Sequence, residues 1–333
     1  MAAASAAIYG LSGLELSATE RDFFRDADPW GFILFARNVE TPEQVSRLTS
    51  DLRDAVGRDA PVLIDQEGGR VQRMRAPHWQ EWEPVRDLCD SGADEMSILA
   101  ALRDRYARIA EELLAVGVDV NCVPLLDVPQ RNAHPVIGDR ALGWTAAEIA
   151  VRGREAMTGL LDNGVLPVIK HLPGHGRALH DSHLELPRVS ASLDELRRVD
   201  FPPFLSVRDV PLGMTAHVVY EAIDPENCAT LSPAVLEMIR TELGFDGLLM
   251  TDDLGMKALS GPMSDRGTRA LAAGCDILLH CSGDMAEMQE LAPVVPKLAG
   301  AAVQRADRAE AMRKPRMSDV TPLAGLSREA AHG

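Results

Sequence analysis

The chain has 333 residues, of which 46% are hydrophobic and 25% charged, and it carries a formal net charge of −16 at pH 7. That length fits either one large α/β barrel or two ordinary soluble domains. The negative field repels phosphate backbones and no basic stripe is interleaved with aromatics, which argues against a nucleic acid partner; no apolar run approaches the roughly 18 residues that span a bilayer.

Taken in chain order, residues 1–10 are small and apolar but lack a basic n-region, and the run breaks at Gly10 and Ser12, so no secretory signal is expected. Short β-rich runs then recur at 6–11, 31–36, 61–65, 118–126, 165–171, 211–217, 247–251 and 275–280. Helical stretches separate them. Thr41-Pro42-Glu43-Gln44, Thr145-Ala146-Ala147-Glu148 and Ser192-Leu193-Asp194-Glu195 fit the capping box, and Ser232-Pro233 reads as an N-cap followed by proline at the first helical position. In the longest helix Ile98, Leu102, Tyr106, Ile109, Leu113 and Val116 form one core-facing stripe. Cys89, Cys122, Cys228, Cys275 and Cys281 are odd in number and contain no C-x-x-C pair, so they read as reduced thiols and a cytoplasmic location is expected.

Runs such as Val165-Leu166-Pro167-Val168-Ile169 are apolar throughout, as parallel strands buried on both faces must be. Eight β/α units of this kind predict a single (β/α)8 TIM-type barrel over residues 1–313, with 314–333 a flexible tail; two doubly wound domains are the alternative. Polar residues favour the barrel. Asp65, Asp127, Lys170 with His171, His217, and Asp252 with Asp253 each stand at the C-terminal end of a different run, and in a barrel those ends converge on one face.

The segment from Lys170 to His183 holds four of the nine histidines. Metal ligation is one explanation, with His171, His175, His180, Asp181 and His183 as available ligands. The spacing speaks against it, because Pro173, Gly174 and Gly176 disfavour the helix that would align His171 with His175, and there is no H-E-x-x-H. Proton transfer is the other. Asp181 and His183 are two apart in an extended segment, so they point the same way, and an Asp beside a His fixes its tautomer and favours imidazolium. Met250-Thr251-Asp252-Asp253 closes an apolar strand with two carboxylates. Asp253 is read as the cap of a following helix, and Asp252, at the strand end, suits a nucleophile.

Lys170-His171-x-Pro173-Gly174-His175-Gly176, then Asp181-Ser182-His183, then Thr251-Asp252-Asp253-Leu254-Gly255-Met256, resemble glycoside hydrolase family 3 in its bacterial β-N-acetylhexosaminidase branch. Ile64-Asp65-Gln66-Glu67-Gly68-Gly69-Arg70-Val71-Gln72-Arg73 and Val136-Ile137-Gly138-Asp139-Arg140 match further family segments in the same order, from about Ile8 to about residue 300. The resemblance implies a retaining mechanism with Asp252 as nucleophile, His183 as general acid/base and Asp181 as its orienting partner. It also implies that Asp65, Arg73, Arg140, Lys170 and His171 bind the terminal sugar, with Met214, His217 and Met256 as further lining. A His in the acid/base role departs from the usual pair of carboxylates, which stand about 5 to 5.5 Å apart in retaining enzymes.

The implied substrate is a terminal non-reducing β-linked N-acetylglucosamine, as in N-acetylglucosaminyl-anhydro-N-acetylmuramic acid with or without peptide, a fragment of peptidoglycan recycling. No cofactor, metal or macromolecular partner is implied, and a monomer is expected. Three other readings stand beside it. They are a phosphorylase using the same glycosyl-enzyme, a metal-dependent hydrolase, and a barrel that binds sugar without turning it over.

Overall fold

The protein is described from a computed structural model, which covers residues 3–130, 135–178 and 185–313. The elements, in order, are β1 (Ser5–Tyr9), α1 (Ala18–Ala27), β2 (Pro29–Leu34), α2 (Pro42–Val56), β3 (Val62–Ile64), α3 (Val85–Cys89), α4 (Glu95–Ala115), β4 (Val120–Asn121), α5 (Ala146–Asp162), β5 (Leu166–Leu172), β6 (Arg188–Val189), α6 (Leu193–Val199), α7 (Pro202–Leu205), β7 (Leu212–Thr215), β8 (Val219–Tyr220), α8 (Pro233–Thr241), β9 (Leu248–Met250), α9 (Met263–Ala273), β10 (Leu278–His280), α10 (Met285–Leu291) and α11 (Gly300–Ala311).

Eight of the strands form one parallel sheet in the order β10-β1-β2-β3-β4-β5-β7-β9. The remaining seam is closed by a parallel bridge between Met250 and Ile277 and by the Thr251 N–H donating to the Ile277 carbonyl at 3.0 Å. Each of the eight apolar runs named above supplies one barrel strand, so the single-barrel expectation holds over the described residues; two doubly wound domains do not form. Helices follow each strand because the return path of a right-handed crossover must lie over the sheet. The tail at 314–333 lies outside the described residues.

The core has the two layers this architecture demands. Ala6, Ile8, Trp30, Ile33, Leu63, Val120, Cys122, Leu166, Val168, Leu212, Met214, Leu248, Met250, Ile277 and Leu279 fill the barrel interior. Alternate strand positions and the inner faces of the helices form the outer layer. In α4, Ile98, Leu102, Tyr106, Ile109 and Leu113 are all buried, the stripe that the three-and-four spacing predicts. Each such side chain contributes roughly 1.5–3 kcal/mol by burial.

The helix starts are partly as read. Thr145 and Glu148 form a full capping box, and Pro233 opens α8 behind the Ser232 cap. At Thr41 and Ser192 only the hydroxyl half forms: the Gln44 side chain accepts from the Glu40 N–H instead, and Glu195 pairs with Arg177 at 2.9 Å. Two features had no counterpart in the sequence reading. Ser17 and Glu20 make a further capping box on α1, and β6 pairs with β8 in a small parallel sheet.

The two ends of the barrel differ. At the N-terminal end α11 lies across the opening, with Ala306 and Ala309 packed on the inner cluster and Glu310 accepting from the Trp30 indole at 2.7 Å. Two buried carboxylates hold it there. Asp119 accepts from the Val62 N–H, Arg53 and Arg313 at 2.8, 3.0 and 2.7 Å, and Asp276 accepts from the Leu249 N–H, Arg240 and Arg305 at 2.9, 2.5 and 3.0 Å. Removing one partner of a buried ion pair leaves the other charge uncompensated. Asp119→Ala is therefore expected to cost about 3 kcal/mol of unfolding free energy, read as a lower urea midpoint, with the folded fraction keeping its activity because Asp119 lies at the end away from the cavity described next. An unchanged midpoint would show that the latch does not matter.

Candidate active site

With the N-terminal end closed, the C-terminal strand ends surround a cavity of about 260 Å³. Its polar lining comes from Asp65, Arg70, Arg73, Arg140, Lys170, His171, His175, Asp252 and Asp253, and its apolar lining from Ile33, Phe35, Met214, Met256, Leu279 and Cys281 among others.

Local geometry explains why these side chains meet. After β3 the chain turns back through Gly68 and Gly69, at φ +103° and +57°, where a Cβ on Gly68 would stand 2.6 Å from the Glu83 carbonyl. The buried Gln66 side chain fixes the return by accepting from the Arg73 and Met74 N–H groups at 3.0 and 3.1 Å. That return brings Arg73 onto Asp65 at 2.9 Å. Lys170 and His171 are neighbours in β5, which ordinary alternation would place on opposite faces. Both line the cavity, at a point where the β5 to β7 register shifts; the peptide bond between them is cis.

The charges form one continuous chain. Arg73 donates to Asp65, Lys170 donates to Asp65 at 3.0 Å and to Glu67 at 2.8 Å, and Arg140 grips Glu67 with two bonds of 2.8 Å. Burial pushes the Asp65 and Glu67 carboxyls upward, but Lys170 with Arg73 holds Asp65 well below the usual range, and Arg140 with Lys170 lowers Glu67. Burial would likewise lower Lys170, yet Asp65 and Glu67 keep it raised. Asp65, Glu67 and Lys170 stay charged at neutral pH, and the donors around the two carboxylates are fixed before any ligand arrives. Arg73 and Arg140 are thus embedded in the cavity wall; they do not form surface pairs.

A second buried carboxylate organises the histidines. Asp127 is fully buried and accepts from the His171 and His175 N–H groups at 3.2 and 2.6 Å, while its other oxygen meets the His171 ring Nδ1 at 2.8 Å. Burial opposes its charge, but the neighbouring His171 holds it at about 2. His175, in contrast, is pushed down to about 4 by burial and by the adjacent His171, so its ring is neutral at pH 7. Among the described residues no three His, Cys, Asp or Glu side chains group as a metal site.

The structure brings together Asp65, Arg73, Arg140, Lys170, His171 and Asp252 around the one cavity, with Met214 and Met256 in its wall. Asp181 and His183 lie outside the described residues, as does His180. Two readings need correction. His217 is not in the lining; it is buried, with its ring bonded to Thr230 at 2.7 Å and to the Asp253 carbonyl at 2.9 Å. No helix begins behind Asp253 for it to cap, since α9 starts only at Met263; its carboxylate instead accepts from the Gly255 and Cys281 N–H groups, both at 3.0 Å. It pins the turn after β9 to the end of β10 and so fixes the backbone that carries Asp252. In the sequence Glu67 stands only as part of a motif and Asp127 only as a strand-end acid. Their roles depend on partners far along the chain, although a carboxylate immediately before Gly68-Gly69 was the available signal for the first.

A barrel closed at one end, with carboxylates and fixed cations ringing a sugar-sized cavity at the other, defines a carbohydrate-active enzyme. Residues 9–312 match the glycosyl hydrolase family 3 N terminal domain, and the chain belongs to glycoside hydrolase family 3. A protein of Alkalilimnicola ehrlichii named beta-hexosaminidase is 39% identical over 277 residues, 82% of this chain and 79% of that one. NagZ from Neisseria gonorrhoeae, solved in complex with N-trifluoroacetyl-D-glucosamine, superposes with a TM-score of 0.84 at 29% identity, covering 94% of this chain and 91% of that one. The family 3 beta-N-acetylglucosaminidase of a Paenibacillus species gives 0.84 at 32% identity over 97% of this chain, which spans only 63% of that enzyme. The chain is a glycosidase of the β-hexosaminidase type. No helix among the described residues is long and apolar enough to cross a membrane.

His175 supplies a pH test. Its folded pKa of about 4 lies below the ordinary value of 6.5, so between those values the unfolded chain binds a proton that the native state does not. Stability from this group is complete above pH 6.5 and is lost as pH falls toward 4, by about 3 kcal/mol in all. Urea titrations across this range should show the slope, and His175→Gln should flatten it by close to one proton. An unaltered slope in the variant would remove His175 as its source.

Proposed function

We propose that the protein hydrolyses terminal non-reducing β-linked N-acetylglucosamine, with N-acetylglucosaminyl-anhydro-N-acetylmuramic acid and its peptide-bearing forms as the natural substrate class in peptidoglycan recycling. The observation that carries the reading is the placement of Asp252 in the same cavity as Asp65, Arg73, Arg140, Lys170 and His171. Carboxylates accept from sugar hydroxyls, while lysine and arginine donate to hydroxyls and to an acetamido oxygen. The beta-hexosaminidase name of the Alkalilimnicola relative and the N-acylated glucosamine of the Neisseria complex support the same sugar.

In the proposed reaction the Asp252 carboxylate attacks the anomeric carbon while His183, as imidazolium, protonates the departing glycosidic oxygen. A covalent glycosyl-Asp252 ester results. The now neutral His183 then takes a proton from water, whose oxygen attacks the same carbon and releases Asp252, so two inversions give retention. Asp181 orients His183 and stabilises its cation. Asp65 and the cations bonded to it and to Glu67 hold the terminal sugar in place, so remote binding energy serves the reacting centre. The protein is proposed to act as a cytoplasmic monomer, without a metal or cofactor, as one catalytic domain over residues 1–313.

The decisive experiment is trapping. A slow fluorinated β-N-acetylglucosaminide analogue should leave a covalent adduct that peptide mass mapping places on Asp252, and Asp252→Ala should lose at least about 10³-fold in kcat with folding retained. An adduct elsewhere, or wild-type rates in the variant, would remove Asp252 from its role. Sugar 1-phosphate as the main product at moderate phosphate would make the enzyme a phosphorylase, and loss of activity with chelator would make it metal-dependent.

For Asp181→Asn a fall in kcat of about 10² or more is expected with little change in unfolding midpoint, because only His183 is deprived of its partner. Unchanged kinetics would leave Asp181 without a part in the reaction.

A further inference from the structure

His171 and His175 sit side by side, with ring centroids 5.5 Å apart, against the same buried acid, but they use it differently. His175 gives Asp127 only its backbone N–H, whereas His171 gives both its backbone N–H and its ring Nδ1 edge. Asp127 is 0% exposed and lies outside the cavity lining, so it cannot touch a sugar held there. Its own placement is secured by the extension of β4 along β5, where the Leu126 N–H donates to the Lys170 carbonyl at 2.8 Å and the Lys170 N–H to the Pro124 carbonyl at 3.2 Å. The His171 ring lines the cavity. Its Nε2 bonds to no described residue and is not closed off from that space.

We infer that Asp127 is a positioning residue for sugar recognition: by holding the His171 proton on Nδ1, it leaves Nε2 as a bare acceptor that reads one hydroxyl of the terminal sugar. The chemistry follows from the imidazole inventory. A neutral ring has one donor and one acceptor nitrogen, and a carboxylate on one side decides which is which. An anionic Asp127 can only accept, so the proton belongs between it and Nδ1. The consequence is specific to this site, because Arg73, Arg140 and Lys170 can only donate, and both Asp65 oxygens already accept from protein. Apart from the carboxylates nearest the reacting carbon, His171 Nε2 is the acceptor among these sugar-facing groups with nothing yet bonded to it. A hydroxyl placed there must act as donor, so a fluorine in its place, which accepts weakly and donates nothing, gains nothing. The inference rests on the proposed N-acetylglucosaminide substrate for which sugar is read, but not for the state of the ring.

The test is in two arms. In the full-length protein labelled with 15N-histidine, with His171 assigned by loss of its signals in His171→Gln, the neutral ring should show a protonated Nδ1 and an unprotonated Nε2. Asp127→Asn keeps an oxygen for the two backbone N–H groups but turns an amide donor toward Nδ1, which should move the ring proton to Nε2. In the second arm, deoxy and deoxyfluoro versions of an aryl β-N-acetylglucosaminide at the 3, 4 and 6 positions are compared. At one position the wild-type enzyme should treat fluorine no better than hydrogen. In Asp127→Asn the parent sugar should lose about tenfold or more, chiefly in KM, and the fluoro sugar at that position should recover relative to its deoxy partner, because Nε2–H now donates.

A wild-type ring protonated on Nε2, or on both nitrogens near neutral pH, overturns the inference. So does an Asp127→Asn enzyme whose ring and sugar profile are unchanged, or one that loses kcat alike on every sugar. If Asp127→Asn does not fold, the wild-type spectrum and the wild-type fluoro series decide by themselves. Absence of any activity on β-N-acetylglucosaminides would instead sink the proposed substrate, while the spectrum would still report the tautomer.

Discussion

The site depends on a chain of five alternating charges, Arg73, Asp65, Lys170, Glu67 and Arg140, held at the open end of the barrel with little access to water. Any one of them alone would be prohibitive there, since an unpaired buried ion carries a desolvation penalty of several kcal/mol. Together they satisfy one another, and none can leave without stranding a neighbour. Such a network is a poor source of stability compared with an apolar core of the same volume. What it supplies is orientation. The donors that would meet a sugar are already aimed and desolvated, so binding does not have to order long, flexible cationic side chains.

The barrel makes this arrangement possible by separating its duties between its ends. At the N-terminal end Asp119 and Asp276 bind strands β3 and β9 to α2, α8 and α11, and α11 covers the opening. The apolar interior between the ends is continuous through all eight strands. A rigid middle of this kind lets the C-terminal ends carry charges that would otherwise loosen the fold. It also explains why the protein tolerates a local group of cations within a chain whose net charge is −16: each cation in the wall is matched by a carboxylate or a carbonyl within bonding distance.

Much of this was legible beforehand, and for physical reasons. Strands buried on both faces must be apolar throughout, so the eight runs stood out, and polar residues closing them pointed to one face. Asp65, Lys170, His171 and Asp252 were found by that rule. Glu67 was not, because it lies beyond the strand end and its importance comes from Arg140, 73 residues later in the chain, and from Lys170. His217 followed the strand-end rule and misled, since its ring is taken up by Thr230 and the Asp253 carbonyl. Asp253 looked like a helix cap because acids after strands often are, but the chain here makes turns and the carboxylate reaches across to β10. Residues Lys170 and His171 could share a cavity only through an irregular register, which alternation does not reveal. The two-residue strands β6 and β8 carry too little pattern to be seen at all.

The two described histidines of the glycine-rich segment show why residue type alone could not assign their parts. Both are buried beside Asp127, and both line the cavity. Burial, with the adjacent His171, drives the His175 ring toward the neutral form, while its backbone N–H anchors it on that acid. His171 engages the same acid through its ring, which fixes the ring plane and the side that faces outward. One carboxylate therefore sorts two chemically identical side chains into a fixed wall and an oriented contact. The acid that organises both rings follows a different strand, β4, and its oxygens are already occupied by the protein's own donors, so the two side chains are placed from outside their own segment.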